Sequence, residues 1–304
     1  MPCLGSRGVA QSVSRWQAWP LVLRLATAVF LSLVGFPAMR GMRFLLFILP
    51  LAGCANVTNF NDPKGPGLYV TYAPPRSQAP ESLRVVTFNI KFSKEIDKAI
   101  EVLRDTPELQ NADFIALQEM DDQGTDKIAR ALHMNAVYYA ASIHPVSQKP
   151  FGPAILSKWP IEEKWKLILP YQTHIRSQKR VAVGAIARVG STNVRVYSLH
   201  LEAPFRVRER KRREQAQAVI DDAKAWTGPV IVAGDLNDSL LNDLFETAGY
   251  VWGTKGLGPT VGPLEFDHVF ARGVGPILKA GKSDAKGASD HRPVWALYAF
   301  NPGK

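Results

Sequence analysis

Cysteine is nearly absent from this 304-residue chain: there are two, Cys3 and Cys54, and none follows Cys54. That excludes a disulfide framework or a thiolate metal cluster in the body of the protein. Any metal there is held by oxygen or imidazole ligands. Acidic residues are missing from residues 1–53, which carry five arginines (Arg7, Arg15, Arg24, Arg40 and Arg43). Half of the formal charge of +10 therefore sits in that stretch, and from Cys54 onward 32 basic side chains face 27 acidic ones. The remaining excess is compatible with a phosphate-bearing partner without requiring one. Internal repeats are also lacking, which excludes solenoids and propellers. Hydrophobic residues at 46% and charged residues at 21% fit a globular chain with a substantial core.

The N-terminal residues read as an address. Met42-Arg43, an apolar run from Phe44 to Leu51, and Ala52-Gly53-Cys54 are the parts of a secretory signal spanning residues 42–53. Leu51-Ala52-Gly53-Cys54 resembles the bacterial lipoprotein box, which implies lipidation of Cys54 and a place in the bacterial cell envelope. By the same resemblance, Ala55 after the cysteine implies sorting to the outer membrane, facing the periplasm. Residues 1–41 contain a second apolar stretch, Leu21–Met39, interrupted by Arg24 and Pro37. They read as an extension from a start codon placed too early, with a membrane-spanning helix as the alternative. Residues 54–82, rich in Pro, Gly, Asn and Ser, are expected to be a flexible tether.

From residue 83 to 299 apolar strand-like runs alternate with helical spacing, and residues 300–304 form a tail. Strands are expected at Leu83–Ile90, Phe114–Gln118, Ala154–Ser157, Val181–Val189, Val194–His200, Pro229–Ala233, Phe266–Ala271 and Pro293–Tyr298. Helices are expected at Glu95–Arg104, Asp126–Leu132 and Glu209–Trp226. The pattern is one α/β domain. Polar residues recur where these strands end: Asn89, Gln118-Glu119, His200, Gly234-Asp235-Leu236-Asn237, Asp267-His268 and Ser289-Asp290-His291. Each alone has a bland reading, as turn former, cap, solvated acid or structural histidine. Together they imply a shared cleft at the ends of the strands.

The ordered set Asn89, Gln118-Glu119, His200-Leu201, Gly234-Asp235-Leu236-Asn237, Asp267-His268-Val269-Phe270 and Ser289-Asp290-His291-Arg292-Pro293-Val294 resembles the endonuclease/exonuclease/phosphatase superfamily. The segment Phe151–Ile161 resembles another of its motifs, with Pro153 where that family has Asn. The resemblance implies an α/β four-layer sandwich of two packed mixed β-sheets flanked by helices. It also implies a phosphoester hydrolase working by metal-assisted in-line attack of water. Glu119, Asn89 and Asp290 would hold Mg²⁺, or Mn²⁺. Asp235 would orient the water, and Asn237 would support it and donate to phosphate. His200 and His291 would flank the phosphoryl group, Asp267 would pair with His291, and Arg180 would contact phosphate or brace Glu119.

Arg206 to Gln215 is strongly basic and opens the long helix, where Glu209 and Arg213 stand at pairing distance in sequence. It reads as a solvated helix face or as a phosphate-tracking patch for nucleic acid or lipid headgroups. No aromatics are obviously interleaved for base stacking. His144 and His174 read as surface loop residues. The leading expectation is a monomeric phosphodiesterase acting on nucleic acid or another phosphodiester. A phospholipid-headgroup phosphodiesterase of sphingomyelinase type or a phosphatase is the alternative, although no long apolar insertion is present. A non-catalytic anion-binding lipoprotein is the rival of another class.

Overall fold

The computed structural model describes residues 57–300 apart from Val146 and Ile175, all within the unit formed by residues 53–304. Cys54, the signal segment, the Leu21–Met39 stretch and the 301–304 part of the tail lie outside the described residues. Among the described residues no helix is long and apolar enough to cross a membrane.

The chain fills one sheet, then a second, then returns to the first. It begins with β1 (Gly67–Val70), β2 (Ser82–Asn89), α1 (Ile96–Asp105), β3 (Phe114–Met120), α2 (Asp122–Ala131) and β4 (Asn135–Tyr139). Next come β5 (Ser142–Ile143), β6 (Pro150–Ser157), β7 (Ile161–Ile168), β8 (Val181–Val189), β9 (Thr192–His200) and α3 (Glu209–Ala223). The last elements are β10 (Val230–Asp235), α4 (Asn242–Thr247), β11 (Val251–Trp252), β12 (Asp267–Arg272), β13 (Ile277–Lys282) and β14 (Val294–Ala299). The first sheet runs β1-β4-β6-β3-β2-β14-β13 with β5 on β6, and the second runs β11-β12-β10-β9-β8-β7. Both are mixed: β2 pairs with β3, and β9 with β10, in parallel, and their other neighbours are antiparallel.

Period-two alternation divides each central strand between two cores. Val85 and Phe114 face the second sheet, where they meet Val183, Val196, Ile231 and Val269. Val86, Phe88, Ile115 and Leu117 face outward onto Ile100 and Leu103 of α1 and Ile128 of α2. On the far side Tyr197, Leu199 and Val232 pack against Ala216, Val219 and Ile220 of α3. The result is the expected four-layer α/β sandwich of two packed mixed sheets.

One expectation is corrected. From Val57 the supposed tether is docked on the domain: β1 pairs antiparallel with β4, and Asn59 bridges to Ser142. Phe60, Leu68 and Val70 pack on the outer core of the first sheet. Lys166 Nζ also clasps the carbonyl oxygens of Asp62 and Gly65 at 3.0 and 2.8 Å. A short strand between turn-rich segments carries too little apolar periodicity to be read from sequence.

Candidate active site

The cleft lies where β2, β3, β9 and β10 end on the same side of the two sheets. Asn89, His200 and Asp235 are the last residues of their strands, and the register aligns Asp235 with His200 on one side and with Asp267 on the other. Glu119 reaches the cleft through a backbone irregularity. It sits at φ +59° where β3 slips against β6, so that Gln118 and Glu119 face the single residue Pro153. This is a β-bulge, which bends the strand and re-aims the side chain. Proline fits there because the ladder asks no N–H of it.

Asp235 is the hub. Its Oδ1 accepts from the Asn237 backbone N–H at 2.9 Å, and its Oδ2 accepts from Asn89 Nδ2 at 3.0 Å. Nε2 of His200 and of His291 stand 3.5 and 3.8 Å from the same Oδ2. Burial, and then the nearby Asp267 carboxylate, raise the Asp235 pKa to about 7 against the pull of His291 and the two hydrogen bonds.

The two histidines are tuned in opposite directions. Burial pushes His200 well below its usual value, and the cations Arg180 and Arg206 add to the effect. Arg180 Nη1 donates to His200 Nδ1 at 3.2 Å, which leaves its proton on Nε2, facing the cleft. His291 Nδ1 lies 2.8 Å from Asp267 Oδ2, which also accepts from Thr260 Oγ1 at 2.6 Å. Burial opposes a charge on His291, but Asp267, Asp235 and Asp290 outweigh it and hold the pKa up at about 10. A neutral and a cationic imidazole thus face the same carboxylate oxygen.

Some assignments change. The direct ion pair of Arg180 is with Glu202, at 3.1 and 3.3 Å, buried on both sides, and its charge also favours the ionised form of Glu119. Glu202 was not anticipated, although its place two residues after His200 puts both on one side of an extended segment. Asn237 holds Asp235 through its backbone, and its side chain donates to Leu201 O at 3.0 Å. Asn89 offers its amide hydrogens to Asp235, while its oxygen takes the Lys91 N–H at 3.0 Å. Asp290 is half-exposed and paired with Lys91 Nζ at 3.0 Å. His174 is exposed as expected, but His144 lines the cleft and stacks on Phe92 with centroids 4.0 Å apart. Phe92 gets there through three consecutive left-handed residues, Lys91, Phe92 and Ser93, and no sequence motif signals that path.

The basic run divides. Arg212 is buried against Asp238 at 2.6 Å, and Arg213 pairs with Asp243 rather than with Glu209. Arg206 turns to the cleft and donates to Gln178 Oε1 at 3.1 Å.

The resulting cavity of about 160 Å³ is lined by Glu119, Asp235, His200, His291, Arg180 and Arg206 among others. Glu119 has no ion pair among the described residues. Burial raises its pKa, Arg180, His291 and Asn89 pull it down, and Asp290 raises it further. A largely buried carboxylate with no direct ion pair, beside further carboxylate oxygens, is a hard oxygen donor set that fits a divalent cation. Asp235, Asp267 and His291 also bring ligand atoms within 4.8 Å of one another. There the Asp267–His291 hydrogen bond already occupies two of the three groups, so Glu119 is the better anchor.

The sequence model of the Endonuclease/Exonuclease/phosphatase family matches residues 86–291. The chain belongs to this family. Its members hydrolyse phosphoesters, and that is the general activity of this enzyme. Solved structures share the fold. An endonuclease/exonuclease/phosphatase from Beutenbergia cavernae has 19% identity and a TM-score of 0.58, covering 73% of this chain and 72% of that one. One from Bacteroides vulgatus has 16% identity and a TM-score of 0.60, covering 72% and 99%. TDP2 from D. rerio, complexed with single-strand DNA product, has 16% identity and a TM-score of 0.57, covering 72% and 99%. No curated protein matches the chain.

Proposed function

We propose that this family member is a divalent-metal-dependent phosphodiesterase held at the bacterial cell envelope by a lipid on Cys54. The observation that carries the catalytic part is the convergence of the Nε2 atoms of neutral His200 and cationic His291 on Oδ2 of Asp235. Asp235, whose pKa of about 7 poises it as a base near neutral pH, orients a water and takes its proton as the water oxygen bonds to phosphorus and the bond to the leaving oxygen breaks. His200, fixed by Arg180, and His291, fixed by Asp267, donate to the phosphoryl oxygens as charge builds there. Mg²⁺ or Mn²⁺ held by Glu119, with Asp290 and Asn89 near it, would neutralise phosphate charge and stabilise the leaving oxygen. Support for a diester comes from TDP2, whose structure contains a single-strand DNA product.

The test is hydrolysis of bis-p-nitrophenyl phosphate by the detergent-solubilised full chain. Mg²⁺ should support turnover and EDTA should stop it. Glu119→Ala and His291→Ala should each lower turnover by about 10²–10³ while leaving the domain folded. Binding of phosphate esters without hydrolysis would instead favour the non-catalytic lipoprotein, and turnover indifferent to chelation would remove the metal role.

A further inference from the structure

The segment nearest the proposed lipid anchor is sewn to the rim of the cleft. Val57 N–H donates to Arg176 O at 2.9 Å, and Thr58 O accepts from Ile143 N at 2.8 Å. Asn59 donates to Ser177 O at 2.7 Å and accepts from Lys179 N at 2.8 Å. These partners adjoin His144, Gln178 and Arg180, which line the cavity. Only Ala55 and Asn56 lie between Cys54 and Val57, a span of three Cα steps. At the full extension of a polypeptide that is about 10 Å. A lipid on Cys54 therefore leaves the cleft almost no freedom to stand away from the bilayer, whereas a tether reaching residue 82 would have left a great deal.

The same rim carries the surface chemistry that a membrane takes up. Phe205 is 94% exposed at the tip of the turn Ala203–Arg206, whose two end residues line the cavity. A fully solvated phenyl ring is unfavourable in water and is accommodated at the headgroup boundary. Arg208, three residues further on, and Arg176, on the rim segment that holds Val57, are exposed and make no ion pair among the described residues. Partly exposed Tyr171 donates its hydroxyl to Glu214 and has Lys211 Nζ 4.9 Å above its ring. Aromatic tips interspersed with free cations match an anionic lipid surface in both apolar and charge character.

We propose that the anchored enzyme rests with the mouth of its cleft against the bilayer. Phe205 enters the headgroup layer, Arg176 and Arg208 lie on lipid phosphates, and the substrate is a phosphodiester presented at the lipid surface. This rests on the anchor and phosphodiesterase readings above and narrows them to one orientation and one substrate class.

The experiment uses the full-length lipidated chain in vesicles of phosphatidylethanolamine, phosphatidylglycerol and cardiolipin. A polarity-sensitive dye is placed through Phe205→Cys, or through Ser191→Cys at the opposite end of β9. The dye at 205 should report an apolar, quencher-protected site and the dye at 191 should remain in water. Phe205→Ser, and separately a long Gly-Ser insertion between Ala55 and Asn56, should each lower release of water-soluble phosphate esters from the vesicles about tenfold. Hydrolysis of bis-p-nitrophenyl phosphate should stay unchanged in both. Equal solvent exposure of the two dyes on membrane-bound protein overturns the orientation while the anchor reading stands. Faster turnover of single-stranded DNA than of vesicle lipid overturns the substrate class. Cys54→Ser should release the protein; if it remains membrane-bound, the anchor reading itself fails and the orientation argument falls with it.

Discussion

The seam between the two sheets has two ends that share the same strands and do opposite things. At one end Val85, Phe114, Val196, Ile231 and Val269 close an apolar core from which water is excluded. A few residues further along, the same strands deliver Asn89, Glu119, His200, Asp235 and Asp267. Between them runs a short polar ladder. Thr87 donates to Gln118 Oε1 at 3.2 Å, Gln118 Nε2 to Ser198 Oγ at 3.3 Å, and Ser198 Oγ to Leu117 O at 3.1 Å. The difference teaches that rigidity is supplied by one end and used by the other. The charged end is self-opposed, since Asp235 and Asp267 raise each other's energy, and it holds its geometry because the apolar end fixes the strands.

The sharpest way to break this comparison is Asp235→Asn, which keeps shape and removes charge. Turnover of bis-p-nitrophenyl phosphate should fall by about 10²–10⁴. The melting temperature should hold or rise, because one of two opposed buried carboxylates is gone. In the wild-type enzyme the acidic limb of kcat/KM should lie no higher than about pH 7, the value of Asp235, and a bound cation should shift it lower. A melting temperature that collapses while activity survives would reverse the roles of the two ends.

Phe114→Ala does the converse. Phe114 is fully buried on the apolar side, and its truncation should cost about 3–5 kcal/mol in urea unfolding. At a temperature where the variant is folded its kcat should match wild type. A large loss of kcat there would mean that the cleft is not insulated from packing defects below it.

His291 gives a smaller, pH-dependent effect. Its folded pKa of about 10 stands above its ordinary 6.5, so the folded state holds the proton more tightly. The stabilisation is fully present below 6.5 and is lost as pH rises through 10. Wild-type stability should therefore decline between those values, and His291→Ala should flatten the decline. Unfolding titrations across that range check it; parallel curves for the two proteins would show that the Asp267–His291 pair adds nothing to stability.

The contrast between the two ends also explains what sequence could reveal. Central strands such as β2, β3, β9 and β10 are apolar on both faces, and their polar termini stand out for that reason. The site positions expected from the family resemblance gather at the cleft, Asp290 at its half-exposed margin, where its charge still reaches Glu119 and His291. Edge strands left no such trace: β7 presents Glu162, Glu163 and Lys164 to solvent, and β13 is exposed along half its length. The wall formed by Phe92, His144 and Phe151 arises from left-handed loop backbone and from contacts between two loops and the start of β6, which no spacing rule encodes. Glu202 hid because a carboxylate after a strand reads as solvated until Arg180, 22 residues earlier, is placed beside it.

The smallest expected effect lies on the boundary itself. Ser198→Ala removes the hydroxyl that ties Gln118 to the Leu117 carbonyl. A buried hydrogen bond of this kind contributes about 1 kcal/mol, and its loss leaves the Gln118 amide short of a partner. Stability should fall by about that amount. Gln118 immediately precedes the bulge that aims Glu119, so a slackened ladder should appear as a modest rise in the Mg²⁺ concentration needed for half-maximal activity, with kcat at saturating metal unchanged. Isothermal titration of metal against both proteins reads the two effects separately. If affinity is untouched while stability drops, the ladder belongs wholly to the scaffold. If kcat at saturating metal falls as well, the boundary reaches further into the chemistry than the hydrogen bonds between β3 and β9 imply.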